Sequence, residues 1–158
     1  MTPLVIRLTR ISPTHHTFAY VGANGTEHAL KLETKTYLFH DLLHFAVESE
    51  AKLAQSFYGR LAQGKSYEEL TSIEDPDVLT ENSIVERVVG ALTGYFKDPK
   101  DPEEFVRRVV HFLETSEYKA PVWINESFVM AVQERMRRLQ GEWNKLPFGQ
   151  TMTLTFSV

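Results

Sequence analysis

Residues at both ends of the chain alternate between apolar and polar side chains, and the segment between them has helical periodicity. Alternation over residues 4–11 and 151–157 is typical of half-buried strands. Two further strand-like segments, 17–22 and 27–33, follow the first. Because the strands are grouped apart from the helices, we expect an α+β fold with an antiparallel sheet. A doubly wound parallel fold is disfavoured, since it requires strands and helices to alternate.

The dipeptide Asn24-Gly25 lies between the second and third predicted strands. Asn-Gly is a strong hairpin signal, because both central residues of a two-residue turn need a positive φ. A two-residue turn at this position predicts that Val21 pairs with His28. The terminal strand at 151–157 would complete a sheet of about four strands, three of them N-terminal.

Four to five helices are predicted in the middle of the chain, from apolar residues at intervals of three or four and from cap residues. In chain order they cover 37–63, a short segment capped by Ser66 and Glu69, 80–97, a segment beginning at Asp101-Pro102, and 125–143. Asp before Pro is a typical helix start, since the carboxylate caps free N–H groups and proline lacks one. We therefore expect one α+β domain spanning residues 1–158.

The composition excludes several classes of protein. No cysteine occurs among the 158 residues, which excludes disulfides, thiolate zinc sites and a cysteine nucleophile. It also favours a reducing compartment, so we expect a cytoplasmic protein. The net charge of −4 disfavours binding to nucleic acid and to anionic membranes. No apolar run reaches the roughly 20 residues of a membrane span, and the first residues lack the apolar region of a signal peptide.

Residues 59–66 match the phosphate-loop pattern G-x-x-x-x-G-K-S letter for letter. In a nucleotide-binding protein this loop follows a buried strand and opens a helix. Here the preceding residues 48–58 have helical character, and the four residues inside the pattern are good helix formers. We therefore interpret Gly64 as a helix stop and Ser66 as the cap of the next helix, rather than as parts of a nucleotide site.

The sequence from His40 to His44 contains Asp41 and is followed by Glu48. On a helix, residues 40, 44 and 48 lie one turn apart on one face, with residue 41 beside them. Two histidines at this spacing suit a divalent ion such as zinc, and Asp41 or Glu48 would add an oxygen ligand. The spacing resembles the H-E-x-x-H helix of zinc metalloproteases. Asp replaces Glu here and no signature of a third ligand follows, so we do not infer protease activity.

The same four residues also fit an ordinary solvated helix face, because the apolar residues of this helix lie on the opposite side. The two interpretations differ in one observable. An enclosed cluster of histidines and carboxylates needs pairing or a metal, whereas an exposed one needs neither. His111, with Glu114 three residues later, is a further candidate that would supply ligands from a second helix. His15 and His16 are expected in a turn.

Two other features suggest contacts with partners. Arginines cluster at 107–108 and 135–138, where they would bind anions or balance neighbouring glutamates. Gly90 and Gly94 would allow another helix to approach closely. The uncharged terminal strand would pair with a second copy of the chain if it lies at an edge of the sheet.

Two functional classes remain open. One is a non-catalytic interaction or regulatory module that self-associates, most simply as a dimer. The other is a small metal-dependent or acid–base enzyme that uses His40, Asp41, His44 and Glu48, with a divalent metal such as zinc as its cofactor. Because no complete catalytic set is visible in the sequence, the interaction module is the favoured class.

Overall fold

Four antiparallel strands, in the order β3-β2-β1-β4, form a sheet whose one face is covered by helices. The computed structural model describes residues 3–72 and 80–158. The elements within these ranges are β1 Leu4–Arg10, β2 His15–Val21, β3 Glu27–Glu33, α1 Thr34–Glu50, α2 Phe57–Ala62, α3 Tyr67–Thr71, α4 Thr80–Lys97, α5 Pro102–Thr115, α6 Glu126–Lys145 and β4 Thr151–Phe156. The predicted α+β class and the positions of the strands are confirmed.

The period of two along each strand separates a buried face of the sheet from an open one. Ile6 pairs with Tyr20 on one side and with Leu154 on the other, and this row is buried beneath the helices. The neighbouring row places Arg7 beside Thr153, on the opposite face of the sheet. The alternation read from the sequence therefore decides which residues reach the core.

The predicted register of the β2–β3 hairpin is wrong by one residue. Val21 pairs with Glu27, and His28 pairs with Tyr20. The loop has three residues rather than two, because Gly22 N–H donates to the carbonyl of Thr26 at 2.8 Å and closes the ladder there. Its last residue, Gly25, has a φ of 81°, as expected for a three-residue hairpin loop. One step of register changes the face, so His28 stacks on the Tyr20 ring at 5.1 Å.

The single helix predicted over 37–63 is wrong: the chain forms α1 and α2 with a break between them. Lys52 has a φ of 56°, and the next residue, Leu53, donates its N–H to the Glu48 carbonyl at 3.0 Å. A left-handed residue of this kind satisfies the last carbonyls of a helix and turns the chain. The N–H of Tyr58 then finds an acceptor in the Glu48 carboxylate at 2.8 Å, which stabilises the start of α2.

Gly59 lies inside α2, where the helix touches the preceding loop. A Cβ atom built on Gly59 would lie 2.0 Å from the carbonyl oxygen of Ala54, so only glycine permits this approach. Gly64, with a φ of 110°, follows the end of α2, and Ser66 caps α3 in a capping box with Glu69. The segment thus has the helix stop and helix cap expected from its sequence, and Gly59 is helical rather than part of a phosphate loop.

Helix α1 lies between α4 and α6 and also contacts β3. Its apolar residues join the sheet in one buried cluster, in which the Phe45 ring lies 6.4 Å from that of Phe156 on β4. The polar side of α1 is covered as well, because Asp41, His44 and Glu48 are all buried. The solvated face considered for these residues is therefore not observed. Within the described ranges, every helix is too short or too polar to cross a membrane.

Candidate metal centre

Three metal-ligating side chains converge between α1 and α4. His40 and His44 lie one turn apart on α1, and Glu86 comes from α4. Among the residues that the structure describes, these three form the group whose ligand atoms all lie within 4.8 Å of one another. His44 Nε2 is 3.0 Å from one oxygen of Glu86, and His40 Nε2 is 3.8 Å from the other.

The two helices position these side chains through their buried apolar residues. Leu42 and Leu43 are buried on α1, while Val85 and Val88 are buried on α4. When these residues pack in the core, His40 and His44 on α1 face Glu86 on α4. Histidines at i and i+4 then project in the same direction, and the Glu86 carboxylate reaches both of them.

His44 is almost completely buried, with 2% of its surface exposed. Its Nδ1 lies 3.0 Å from a Glu48 oxygen in a hydrogen bond. Its Nε2 makes no hydrogen bond, although Glu86 is close, because the angle does not fit one. When Nδ1 of a neutral ring donates to a carboxylate, Nε2 carries the free lone pair. A histidine that ligates a metal is typically held in this way.

Glu48 is fully buried and faces the far side of the His44 ring. One oxygen accepts the hydrogen bond from His44 and the other accepts the N–H of Tyr58. Burial raises the pKa of Glu48, and the contacts with His44 and the backbone N–H groups oppose that rise. Both oxygens therefore have partners, and the structure places Glu48 behind the cluster as a support for His44, not among the three converging ligands.

Asp41 also lies beside the cluster. Its Oδ2 accepts a hydrogen bond from the Tyr67 hydroxyl at 3.0 Å, and its backbone carbonyl accepts one from Tyr58 at 2.7 Å. Its Oδ1 is 3.9 Å from Nδ1 of His40, too long for a hydrogen bond. Burial and the Asp41 charge raise the pKa of Tyr67, so its hydroxyl stays protonated and donates to Asp41.

Without a metal, the cluster is a network of charges. Burial lowers the pKa of His44, but the Glu48 hydrogen bond and the charges of Glu48 and Glu86 outweigh this effect and raise the pKa to about 10. Burial raises the pKa of Glu86, yet the two histidines reverse the effect and hold it well below its usual range. The Asp41 and Glu86 carboxylates raise the pKa of His40. A metal ion at this position would take the place of protons.

The cluster opens into a cleft of about 490 Å³. Half of the side-chain surface of His40 and of Glu86 is exposed there, 51% and 49%. The other lining residues are aromatic or apolar, polar, or charged: Tyr37, Phe57, Tyr67 and Leu70; Thr71, Ser72, Asn82 and Ser83; Asp41 and Arg87. A larger groove of about 630 Å³ has no histidine or carboxylate among its described lining residues.

The remaining predicted site residues lie elsewhere. His111 and Glu114 are exposed on α5, and neither belongs to the converging group. The arginines of α5 and α6 pair with carboxylates, as in Arg107–Glu103 and Arg137–Glu134, which is ordinary for a helix surface.

The sequence analysis did not predict the positions of Glu86 and of the buried His16. Glu86 is one polar residue among the apolar positions of α4, and its spacing carries no signal that distinguishes it from a solvated glutamate. His16, expected in a turn, is instead in β2 and has no exposed surface. Its pattern did offer a signal, because position 16 lies in phase with Phe18 and Tyr20 on the buried face.

No family model, curated protein or solved structure matches this chain. The basis for assigning a function is therefore the chemistry of the His40–His44–Glu86 cluster and of the cleft beside it.

Proposed function

We propose that this protein binds one divalent transition-metal ion through His40, His44 and Glu86, and that it is a small metal-dependent enzyme. The observation that carries the proposal is Nε2 of His44. This nitrogen is buried, makes no hydrogen bond and lies 3.0 Å from a Glu86 oxygen, while Glu48 holds the other nitrogen of the ring. A buried ring nitrogen without a hydrogen bond is costly, and a metal ion would satisfy it.

The ligand set favours a transition metal over magnesium or calcium. Two imidazoles and one carboxylate suit zinc, and the same set with open positions also suits non-haem iron. Three protein ligands leave at least one position for water or substrate, as in catalytic rather than structural zinc sites. Such an ion activates a bound water or polarises a carbonyl. The exposure of His40 and Glu86 to the cleft gives a small molecule access to that position.

The burial of His44 favours a metal-dependent enzyme over the non-catalytic module. A purely structural role would leave a buried histidine between two carboxylates, and such buried ion pairs seldom stabilise a fold more than apolar residues do. Asp41, Tyr67 and Glu48 form hydrogen bonds around the cluster, and bonds of this kind fix ligand orientation in metal sites. We expect the enzyme to work in the cytoplasm, as the absence of cysteine indicates.

The test is metal analysis of the purified, untagged protein, followed by titration of the chelator-treated protein with Zn²⁺ in a calorimeter. We expect one ion per chain. His44→Ala and Glu86→Gln should each weaken binding by about a hundredfold or more. The control is His111→Ala, which removes an exposed histidine outside the cluster and should bind like the parent. No bound metal and no heat of binding in the parent protein would refute the proposal.

We further propose that two copies associate through β4, in addition to binding metal. The support is that β4 is an edge of the sheet and has no charged residue along Thr151–Phe156, since an unprotected edge is a template for pairing. Light scattering after size exclusion should give a dimer for the parent and a monomer for Thr155→Lys. A monomeric parent at high protein concentration would contradict it.

A further inference from the structure

We infer that the cleft beside the metal cluster takes a small organic oxyanion, a carboxylate or a phosphate ester with a flat apolar body, and that Arg87 binds its anionic group. This inference rests on the proposed metal site and names its substrate class. It is carried by the position of Arg87 beside the proposed metal site and by the aromatic residues that line the same cleft.

Arg87 is held in place by a backbone carbonyl and an aromatic ring. Its Nη1 donates to the carbonyl of Ser83 at 3.0 Å, and its guanidinium carbon lies 4.7 Å from the centre of the Tyr118 ring. In the described part of the chain, no ion pair joins Arg87 to an acid, whereas Arg107 and Arg108 on α5 each pair with a glutamate. The guanidinium therefore keeps N–H donors for a ligand, already fixed in orientation.

Arg87 follows Glu86 on α4 and lines the same cleft as His40 and His44. A divalent ion bound by one carboxylate keeps a net positive charge, and Arg87 adds a second one. Asp41 also lines the cleft and Glu48 lies behind His44, so the attraction for an anion is local to the metal and Arg87 and is not a property of the cleft as a whole. Two cationic groups on one wall attract an anion, and the planar arginine fork matches a carboxylate or phosphate.

The aromatic and apolar residues of the cleft favour a ligand with an apolar body. Tyr37, Phe57, Tyr67 and Leu70 line the cleft, and Tyr37 has 39% of its surface exposed. Aromatic rings favour flat partners that stack against them. The cleft volume of about 490 Å³ is in the range of sites for small molecules. A ring or short chain would lie against these residues, with its oxyanion between the metal and Arg87.

The test uses the Co²⁺-loaded protein, whose visible absorption reports on ligands that enter the metal site. Benzoate, phenyl phosphate and the uncharged benzamide are titrated into the parent, into Arg87→Met and into the control Arg108→Met, an exposed arginine on α5. We expect at least one oxyanion to bind the parent and to lose about tenfold or more in affinity in Arg87→Met, since a charge-assisted pair is removed. Benzamide should bind weakly and alike in all three proteins.

The outcomes separate the two proposals. Co²⁺ affinity should be the same in Arg87→Met as in the parent, because Arg87 is not a ligand. If Co²⁺ binds but both oxyanions bind the two proteins equally, the inference is overturned and the metal site stands. If Co²⁺ does not bind the parent, both fail. Should Arg87→Met not fold, Arg87→Lys keeps the charge and loses the fork, and an unchanged affinity there would also overturn the role of the guanidinium. The affinities of benzoate and phenyl phosphate for the parent then show whether the cleft prefers a carboxylate or a phosphate ester.

Discussion

Glu48 shows how one side chain links local structure to the candidate site. Its carboxylate accepts the Tyr58 N–H at the beginning of α2 and the Nδ1 hydrogen bond from His44. The first contact stabilises the break between α1 and α2, and the second fixes which nitrogen of His44 faces Glu86. Glu48 therefore contacts both His44 and α2, and it lies outside the group of converging ligand atoms.

Replacing Glu48 by glutamine separates these roles. Glutamine can still accept a hydrogen bond through its amide oxygen, but it has no charge to increase the basicity of His44. We expect Zn²⁺ affinity to fall about 10- to 100-fold, measured by calorimetry, with the circular dichroism spectrum unchanged. Glu50→Gln, two residues along α1, is the matched control. An unchanged affinity in Glu48→Gln would show that the Nδ1 bond has no effect on the metal.

His16 provides a pH-dependent contribution to stability away from the metal centre. It is fully buried, its Nδ1 lies 3.0 Å from the Thr34 hydroxyl, and its ring meets that of Trp143 edge-on. Burial lowers the pKa of His16 from 6.5, with Asp41 opposing and His15 assisting the shift. Below pH 6.5 the unfolded chain takes up a proton that the folded chain does not, so this residue favours unfolding as the pH falls.

His16→Gln removes that proton uptake. The free energy of unfolding of the parent, relative to His16→Gln, should therefore fall between pH 7 and pH 5, with a slope of at most about 1.4 kcal/mol per pH unit. Urea unfolding at several pH values measures it, and His111→Gln provides a comparison at an exposed histidine. A difference that stays constant across this range would show that His16 is not held neutral in the fold.

At the level of elements, the break between α1 and α2 shapes the cleft. Lys52 turns the chain in a left-handed conformation, and α2 then brings Phe57 and Tyr58 back over α1. The Tyr58 hydroxyl donates a hydrogen bond to the Asp41 carbonyl, and the Phe57 ring lies 6.0 Å from the His44 ring. The break therefore allows α2 to contact His44 and Glu48 from one side. The left-handed turn at Lys52 after α1 therefore contributes to the burial of His44.

Gly59 is the residue on which this packing depends. Gly59→Ala should lower the free energy of unfolding by about 3 kcal/mol, because its Cβ would meet the Ala54 carbonyl at 2.0 Å and the backbone must shift. Gly90→Ala is the matched control, an exposed helical glycine with no atom near the added Cβ. Gly90→Ala should raise the free energy of unfolding by about 0.5–1 kcal/mol. Urea unfolding measures both, and equal effects of the two substitutions would contradict the close approach at Gly59.

For the whole molecule, the metal would join two helices that belong to separate parts of the chain. The ligands come from α1 and from α4, and within the described ranges no other element contributes a ligand to the cluster. Because the site exists only when these helices are packed together, binding is coupled to folding of the whole chain.

Thermal unfolding tests this coupling. Zn²⁺ at about 100 times its dissociation constant should stabilise the parent by about 2.7 kcal/mol, seen as a rise in Tm of several degrees. Glu86→Gln should show little or no rise, and His111→Ala should behave as the parent. An equal rise in the parent and in Glu86→Gln would assign the effect to zinc bound elsewhere.

Local patterns accounted for most of the elements. Alternation located β1 and β4, and the turn signal Asn24-Gly25 located the strands on either side of it. The caps at Asp101 and Ser66 marked helices that begin where expected. The patterns failed where a single contact decides the outcome. The β2–β3 register depends on the bond between Gly22 and Thr26, and the end of α1 depends on a left-handed Lys52. The residue types at positions 22, 26 and 52 do not by themselves predict this bond or this conformation.

The sequence by itself determined the fold class, the strands and the pairing of His40 with His44, because helical and strand periods depend on neighbours a few residues apart. Tertiary structure alone decided that His44 is buried, that Glu86 rather than Asp41 or Glu48 converges with the two histidines, and that Arg87 shares their cleft. Glu86 lies 42 positions beyond His44 in the sequence. Proximity across that separation is set by how α4 packs on α1, and no periodicity along the chain encodes it.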